Sequence, residues 1–308
     1  LVRFLNPDSA DGRVFSLERI KSAQEELGRA GMLVAHPYRL GYWHLEGVAR
    51  AREYRRLLDD VPARRLKEAL LQTGPRQAYW GNRLQPAWDV DTAIAHLCID
   101  LFSGEPAARL NQMREQIALA APWEGVLQVV CLDPFDAGLF ERITPEWRWA
   151  IALDTCADVC DNWRVQHLPC LEWALGQLEA DAASVPAPLR WQLAVALLLR
   201  GESARVEALL GDNTEGLPEA LRAARLAQQG RWPEAQRGFE SAIKKLQKEQ
   251  GRRKGLMPDC LAWLYPVALL AQGSPAHLEL ARKFCKSEAG PKNARYGFHW
   301  RPWVHALS

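Results

Sequence analysis

Four side chains with metal-ligand chemistry stand close together near the middle of the chain: Cys156, Cys160, His167 and Cys170. On a helix Cys156 and Cys160 share one face at i,i+4. His167 and Cys170 would follow in a loop before the next helix, so four N/S donors can converge on a tetrahedral Zn2+. The spacing Cys-x3-Cys-x6-His-x2-Cys fits no zinc finger pattern, and unpaired cysteine is among the most buried residue types, packing as a small hydrophobe. Packed thiols are therefore the favoured reading and no cofactor is expected, with a zinc-stabilised or zinc-dependent domain kept as the second alternative. Cys98, Cys131, Cys260 and Cys285 are scattered, and the total of 7 is odd, which argues against a disulfide framework.

Catalytic patterns are absent from the sequence. There is no Gly-xxxx-Gly-Lys loop, no Gly-x-Ser-x-Gly elbow and no His-Glu-xx-His pair. Asp133 and Asp136, or Asp154, Asp158 and Asp161, are carboxylates at close spacing, but the last three at helical intervals read as a solvated or N-terminal helix face. No catalytic residue is assigned, and this chain is read as a non-enzyme.

Charge is distributed unevenly. The formal net charge of +2 is made of balances of +3 over residues 1–75, −8 over 76–180 and +7 over 181–308. Two basic clusters carry the excess, and from them come the candidate nucleic-acid contacts Arg50, Arg52, Arg55 and Arg56, and Lys244, Lys245, Lys248, Arg252, Arg253 and Lys254. Cations on one helix face attract a polyanion and displace its counterions. The plainer reading of each cluster is a solvated surface. Thirteen tryptophans form a second set of candidates. Tryptophan at a junction mostly locks neighbouring units together through buried area, while an exposed Trp beside Arg anchors a peptide or an unpaired base. Trp232, Trp300, Arg301 and Trp303 are the candidate partner contacts, with the last three expected to be the most exposed.

The elements that must position these residues are legible from punctuation. Four times an apolar run stops at glycine and restarts within a few residues: Gly104-Glu105-Pro106-Ala107, Gly201-Glu202-Ser203-Ala204, Gly230-Arg231-Trp232-Pro233-Glu234-Ala235 and Gly273-Ser274-Pro275-Ala276. Glycine ends a helix in the left-handed conformation, and Pro or Ser suits the next first turn, so each reads as a helical hairpin. Leu197, Leu226 and Leu269, four residues before a glycine, fall on the expected packing face. Ala235, Phe239, Ile243 and Leu246 make one apolar stripe. The fold expected is mainly α, a solenoid of stacked hairpins. Residues 224–243 resemble a tetratricopeptide repeat, with Gly230 to Ala235 standing at that family's Gly-x-x-x-x-Ala turn. The glycine spacings of 29 and 43 residues depart from its regular repeat, so the region is tetratricopeptide-like.

The N-terminal segment differs. A helix carrying Leu17, Ile20, Ala23, Leu27 and Ala30 stops at Gly31, Met32 to His36 alternate, a turn follows at Pro37 to Gly41, and Tyr42 to Leu45 return as a strand. Leu27, Gly31, Met32 and Leu33 resemble the junction of recognition helix and wing in winged-helix proteins. The division expected is a winged-helix-like element at 1–47, a charged helical linker at 48–75 and a helical-repeat domain at 76–308.

No apolar run is long enough to span a bilayer, and Leu1-Val2-Arg3 lacks the order of a signal peptide, so a cytoplasmic protein is expected. The start at Leu1 points to a fragment. Phe239 to Leu246, Lys254 to Pro258 and Leu264 to Leu270 resemble the helical region ahead of the motor in large bacterial SNF2-type DEAD/DEAH helicases. That resemblance implies a regulatory or targeting module, and the family's ATPase motifs are absent from this chain. The expected function is a non-catalytic helical-repeat scaffold serving a larger nucleic-acid-dependent machine, binding a protein partner or DNA. The first alternative is a solenoid-type transcription regulator that senses a ligand.

Overall fold

The computed structural model describes residues 17–35, 43–45, 47–59, 76–80, 83–87, 90–118, 123–162, 164–251, 257–289 and 297–307. The protein is mainly α-helical and built of packed helix pairs. Two compact units divide it, Leu1–Ala150 and Ile151–Ser308.

In the first unit, helix α1 (Leu17–Arg29) ends at Gly31, whose φ of 70° only glycine adopts cheaply. Strands β1 (Leu33–Ala35) and β2 (Trp43–Leu45) pair antiparallel with Val34 opposite His44. Helix α2 (Gly47–Asp59) follows, then a second antiparallel pair, β3 (Arg76–Trp80) with β4 (Arg83–Ala87). This hairpin falls where the sequence reading expected helical repeats. Its signal was the two-residue Gly81-Asn82 link between the strands, a composition that suits tight hairpin turns. Helices α3 (Val90–Phe102), α4 (Ala107–Ala118), α5 (Trp123–Cys131) and the single turn α6 (Ala137–Phe140) complete the unit. Leu97, Leu101, Phe102, Leu110, Val130 and Phe140 form its core.

In the second unit, helix α7 (Pro145–Asn162), most of which belongs here, leads into a 3-10 turn at Val165–His167 and helix α8 (Leu168–Ala180). Then come α9 (Ala187–Leu199), α10 (Ser203–Leu210), α11 (Gly216–Gln228) and α12 (Trp232–Glu249). The last helices are α13 (Asp259–Ala262), α14 (Leu264–Leu270), α15 (Pro275–Glu288) and α16 (Gly297–Leu307).

The glycine stops form as read. At Gly230, φ is 74°, its N–H donates to Ala227 O at 3.0 Å and Arg231 N–H donates to Leu226 O at 2.9 Å. The same pair of bonds recurs at Gly201, to Leu198 and Leu197, so two of the recurrent leucines supply the carbonyl that closes the cap. Leu197 and Leu269 are fully buried, whereas Leu226 is half-buried. On α12 the inward stripe is Ala235, Phe239, Ala242 and Leu246, with Ile243 half-buried beside it.

Helix α11 packs along α12, α14 along α15, and α12 against α14. Close approach depends on small side chains: a Cβ on Gly238 of α12 would stand 2.8 Å from Ala223 Cβ of α11. A chain of rings then ties the hairpins together. Centroid separations are 5.8 Å for Phe239–Tyr265, 4.9 Å for Tyr265–Phe284 and 5.6 Å for Phe284–Trp300.

Candidate functional site

Cys156 and Cys160 sit on α7 and Cys170 on α8, all buried. Burial pushes the Cys170 thiol up to about 12 and the Cys160 thiol up to about 11, with hydrogen bonds to Thr155 and Gln192 respectively pulling the other way. Cys156 is also raised, by burial first and then by Cys170 and Cys160. His167 turns to a carboxylate: its Nδ1 lies 3.1 Å from Asp158 Oδ2, which also faces Arg164 Nε at 3.2 Å. Among the described residues no group of three or more His, Cys, Asp or Glu is arranged to hold a metal ion.

The basic cluster on α2 is largely committed to its own unit. Arg50 donates to the carbonyl of Asp133. Arg55 Nη2 meets Asp136 Oδ1 at 2.5 Å, and that same carboxylate oxygen caps α6 by accepting from Leu139 N at 3.0 Å. Arg56 pairs with Glu53 at 3.1 Å. Arg52 is the exposed arginine of the four for which the described residues offer no partner. Beside Arg50, Tyr54, Asp133 and Asp136 lies a cleft of about 10 Å³, room for roughly one water and too small for an organic ligand.

Helix α12 behaves differently. Its buried stripe faces α11 and α14, so the opposite side is turned to solvent, and there Arg237, Lys244 and Lys248 are exposed at i, i+7 and i+11. Lys245, one residue over, is drawn inward to the Glu219 carboxylate and to Thr214 O, the latter at 2.9 Å. Lys244 and Lys248 have no carboxylate partner among the described residues. Arg252, Arg253 and Lys254 lie outside the described residues. Sequence reasoning passed over Arg237, which the helical interval of seven from Lys244 aligns with the lysines. Arg237 also faces Glu234 one turn back.

The carboxylates around α12 have partners already. Glu234 Oε1 pairs with Arg231 at 3.1 Å, and Glu240 accepts from Gln236 at 2.8 Å. Glu249 accepts from Gly216 N–H at 2.9 Å, and Glu219 holds Lys245. The first and last of these carboxylates are ion-paired and the other two are held by neutral donors, which leaves Lys244 and Lys248 as cations of this face without an ion pair among the described residues.

The tryptophan candidates separate. Trp300 was expected at the surface and is not: it is 1% exposed, stacked edge-on with Phe284 and with Trp263 at 6.4 Å. The reason is that α16 folds back along α15, so the side of the helix bearing Trp300 becomes core while its neighbour Arg301 stays exposed. Trp303 is half-buried against the cluster of Ala262, Cys285 and Trp300. Trp232 opens α12 ahead of Pro233 and is half-buried. No helix among the described residues is long and apolar enough to cross a membrane. No family model matches this chain, and neither a curated protein nor a solved structure matches it.

Proposed function

We propose that the chain is a non-catalytic helical-repeat scaffold, tetratricopeptide-like over α11 to α15, that contacts nucleic acid through its C-terminal unit in the service of a larger nucleic-acid-dependent machine. The winged-helix-like reading of α1, β1 and β2 belongs to the same proposal as a second structural module. One observation carries the nucleic-acid contact: α12 presents Lys244 and Lys248 to solvent with no ion-pair partner among the described residues, while the nearby Glu219 and Glu234 are each held by another cation. An uncompensated cationic face lowers its free energy by meeting a polyanion and releasing that polyanion's counterions. The resemblance of 239–270 to the region ahead of a helicase motor supports the same reading.

The test is binding of the purified chain to fluorescently labelled DNA over a salt series. Affinity that is measurable at low salt and falls steeply as salt rises is the expected result. No binding at low salt would overturn the nucleic-acid contact. A second reading, docking of a protein partner on α16, is favoured by one feature, the exposed Arg301 beside half-buried Trp303. Capture of a defined protein that Arg301→Glu abolishes would move the proposal there.

A further inference from the structure

We infer that the solvent face of α12 lies along the phosphate backbone of a nucleic-acid duplex and grips it without reading its sequence. The inference rests on the nucleic-acid contact proposed above and names the form of nucleic acid and the mode of recognition.

At a rise of about 1.5 Å per residue, Lys244 and Lys248 stand roughly 6 Å apart along the helix and Arg237 about 10 Å before Lys244. Three cations in a straight row over three turns can follow one edge of a rigid polyanion. The partner's class follows from what surrounds that row. A protein interface is anchored by aromatic or aliphatic side chains entering pockets, and a membrane-surface helix inserts an apolar face. Among the described residues the exposed large hydrophobics are Val48, Val165, Leu168 and Leu280, and none of these belongs to α12. Charge is what this face offers.

Recognition of bases draws above all on open rings to stack on and on planar donors that pair bidentately with base edges in a groove. Near α12 the rings are already stacked on one another: Phe239 on Tyr265, Tyr265 on Phe284, and Phe284 on Trp300. Trp232 is the half-buried exception, twelve residues and roughly 18 Å along the helix from Lys244. Of the planar donors, Arg237 is exposed in the row itself and faces the Glu234 carboxylate one turn back, and its neighbours are occupied. Gln236 bonds to Glu240 at 2.8 Å and accepts from Gln272 at 2.8 Å, while Arg231 is held by Glu234. What is left to this face is phosphate contact. Single strands are held chiefly by stacking, so a face without open rings favours duplex.

The experiment uses the full chain in fluorescence anisotropy with two duplexes of unrelated sequence and equal length, one single strand of that length, anionic phospholipid vesicles and polyglutamate. The two duplexes should bind equally and more tightly than the single strand, with vesicles and polyglutamate weaker than both duplexes. Lys244→Glu with Lys248→Glu should reduce the salt slope by roughly 2, at about 0.9 for each lost phosphate contact. Lys244→Gln with Lys248→Gln should do the same without introducing repulsion, and circular dichroism checks that both variants fold. Preference for one duplex, tighter binding to the single strand or to vesicles, or an unchanged slope in folded variants would overturn this inference while leaving a nucleic-acid scaffold standing. Absence of any DNA binding at low salt would overturn both.

Discussion

Cys170 lies against Thr155 with its thiol raised from an ordinary 9.0 to about 12, Cys160 bonds Gln192 at about 11, and all seven cysteines are buried. Desolvation of the thiolate is the first cause of each shift, because the charged form loses water that the helices do not replace. The consequence for stability has a definite sign. In the unfolded chain these thiols lose their protons first, from about pH 9, while the folded chain keeps them until about 11 to 12. Above pH 9 the unfolded state therefore binds fewer protons, and stability falls as pH rises through that window. Thermal melts should show a flat plateau below pH 8 and a declining midpoint toward pH 10. Alkylation checks the same point independently: the native protein should react slowly at neutral pH, and all 7 thiols should react once it is denatured. Rapid labelling of Cys156, Cys160 or Cys170 in the native state would contradict it.

Between one helix and the next, the decisive atoms are those that are missing. Gly238 lets α12 approach α11 so closely that a Cβ there would stand 2.8 Å from Ala223 Cβ. Gly238→Val should therefore destabilise the hairpin by about 1–3 kcal/mol through overpacking. Ala223→Gly in the same chain should restore part of that loss, beyond the cost that Ala223→Gly brings alone, because it vacates the contested space. A double-mutant cycle by urea denaturation reads the coupling, and a cycle with no coupling would mean that the two helices do not meet at this pair. The hairpins themselves were legible because the left-handed turn at Gly201, Gly230 and Gly273 admits few other residues. The β3–β4 hairpin was not, since its strands lack the apolar alternation that marks a half-buried strand: Gln77, Ala78 and Tyr79 stand opposite Pro86, Gln85 and Leu84. Which basic residues stay free was hidden for a different reason. Arg50 and Arg55 find Asp133 and Asp136 more than eighty residues away, and Lys245 finds Glu219, pairings that no local pattern announces.

Across the second unit as a whole, cohesion passes through aromatic rings. Phe239, Tyr265, Phe284 and Trp300 come from α12, α14, α15 and α16 in turn, each ring in contact with the next. Such a chain makes the last hairpin and the terminal helix parts of one cooperative body, because removing a ring exposes the faces of both its neighbours. Trp300 is the end of that chain and is 1% exposed although its sequence neighbours Arg301 and Pro302 are exposed, a burial that only the packing of α16 on α15 reveals. Trp300→Ala deletes a large buried ring together with its edge contacts to Phe284 and Trp263, a loss of about 3–5 kcal/mol for a core aromatic. Trp303→Ala, at a half-buried position, should cost distinctly less. Hydrogen exchange separates two ways in which the unit can respond. If the rings couple the helices, Trp300→Ala lowers amide protection in α14 and α15 as well as in α16. Loss confined to α16 would mean that the terminal helix is a separable flap, and that the body presenting Lys244 and Lys248 holds together without it.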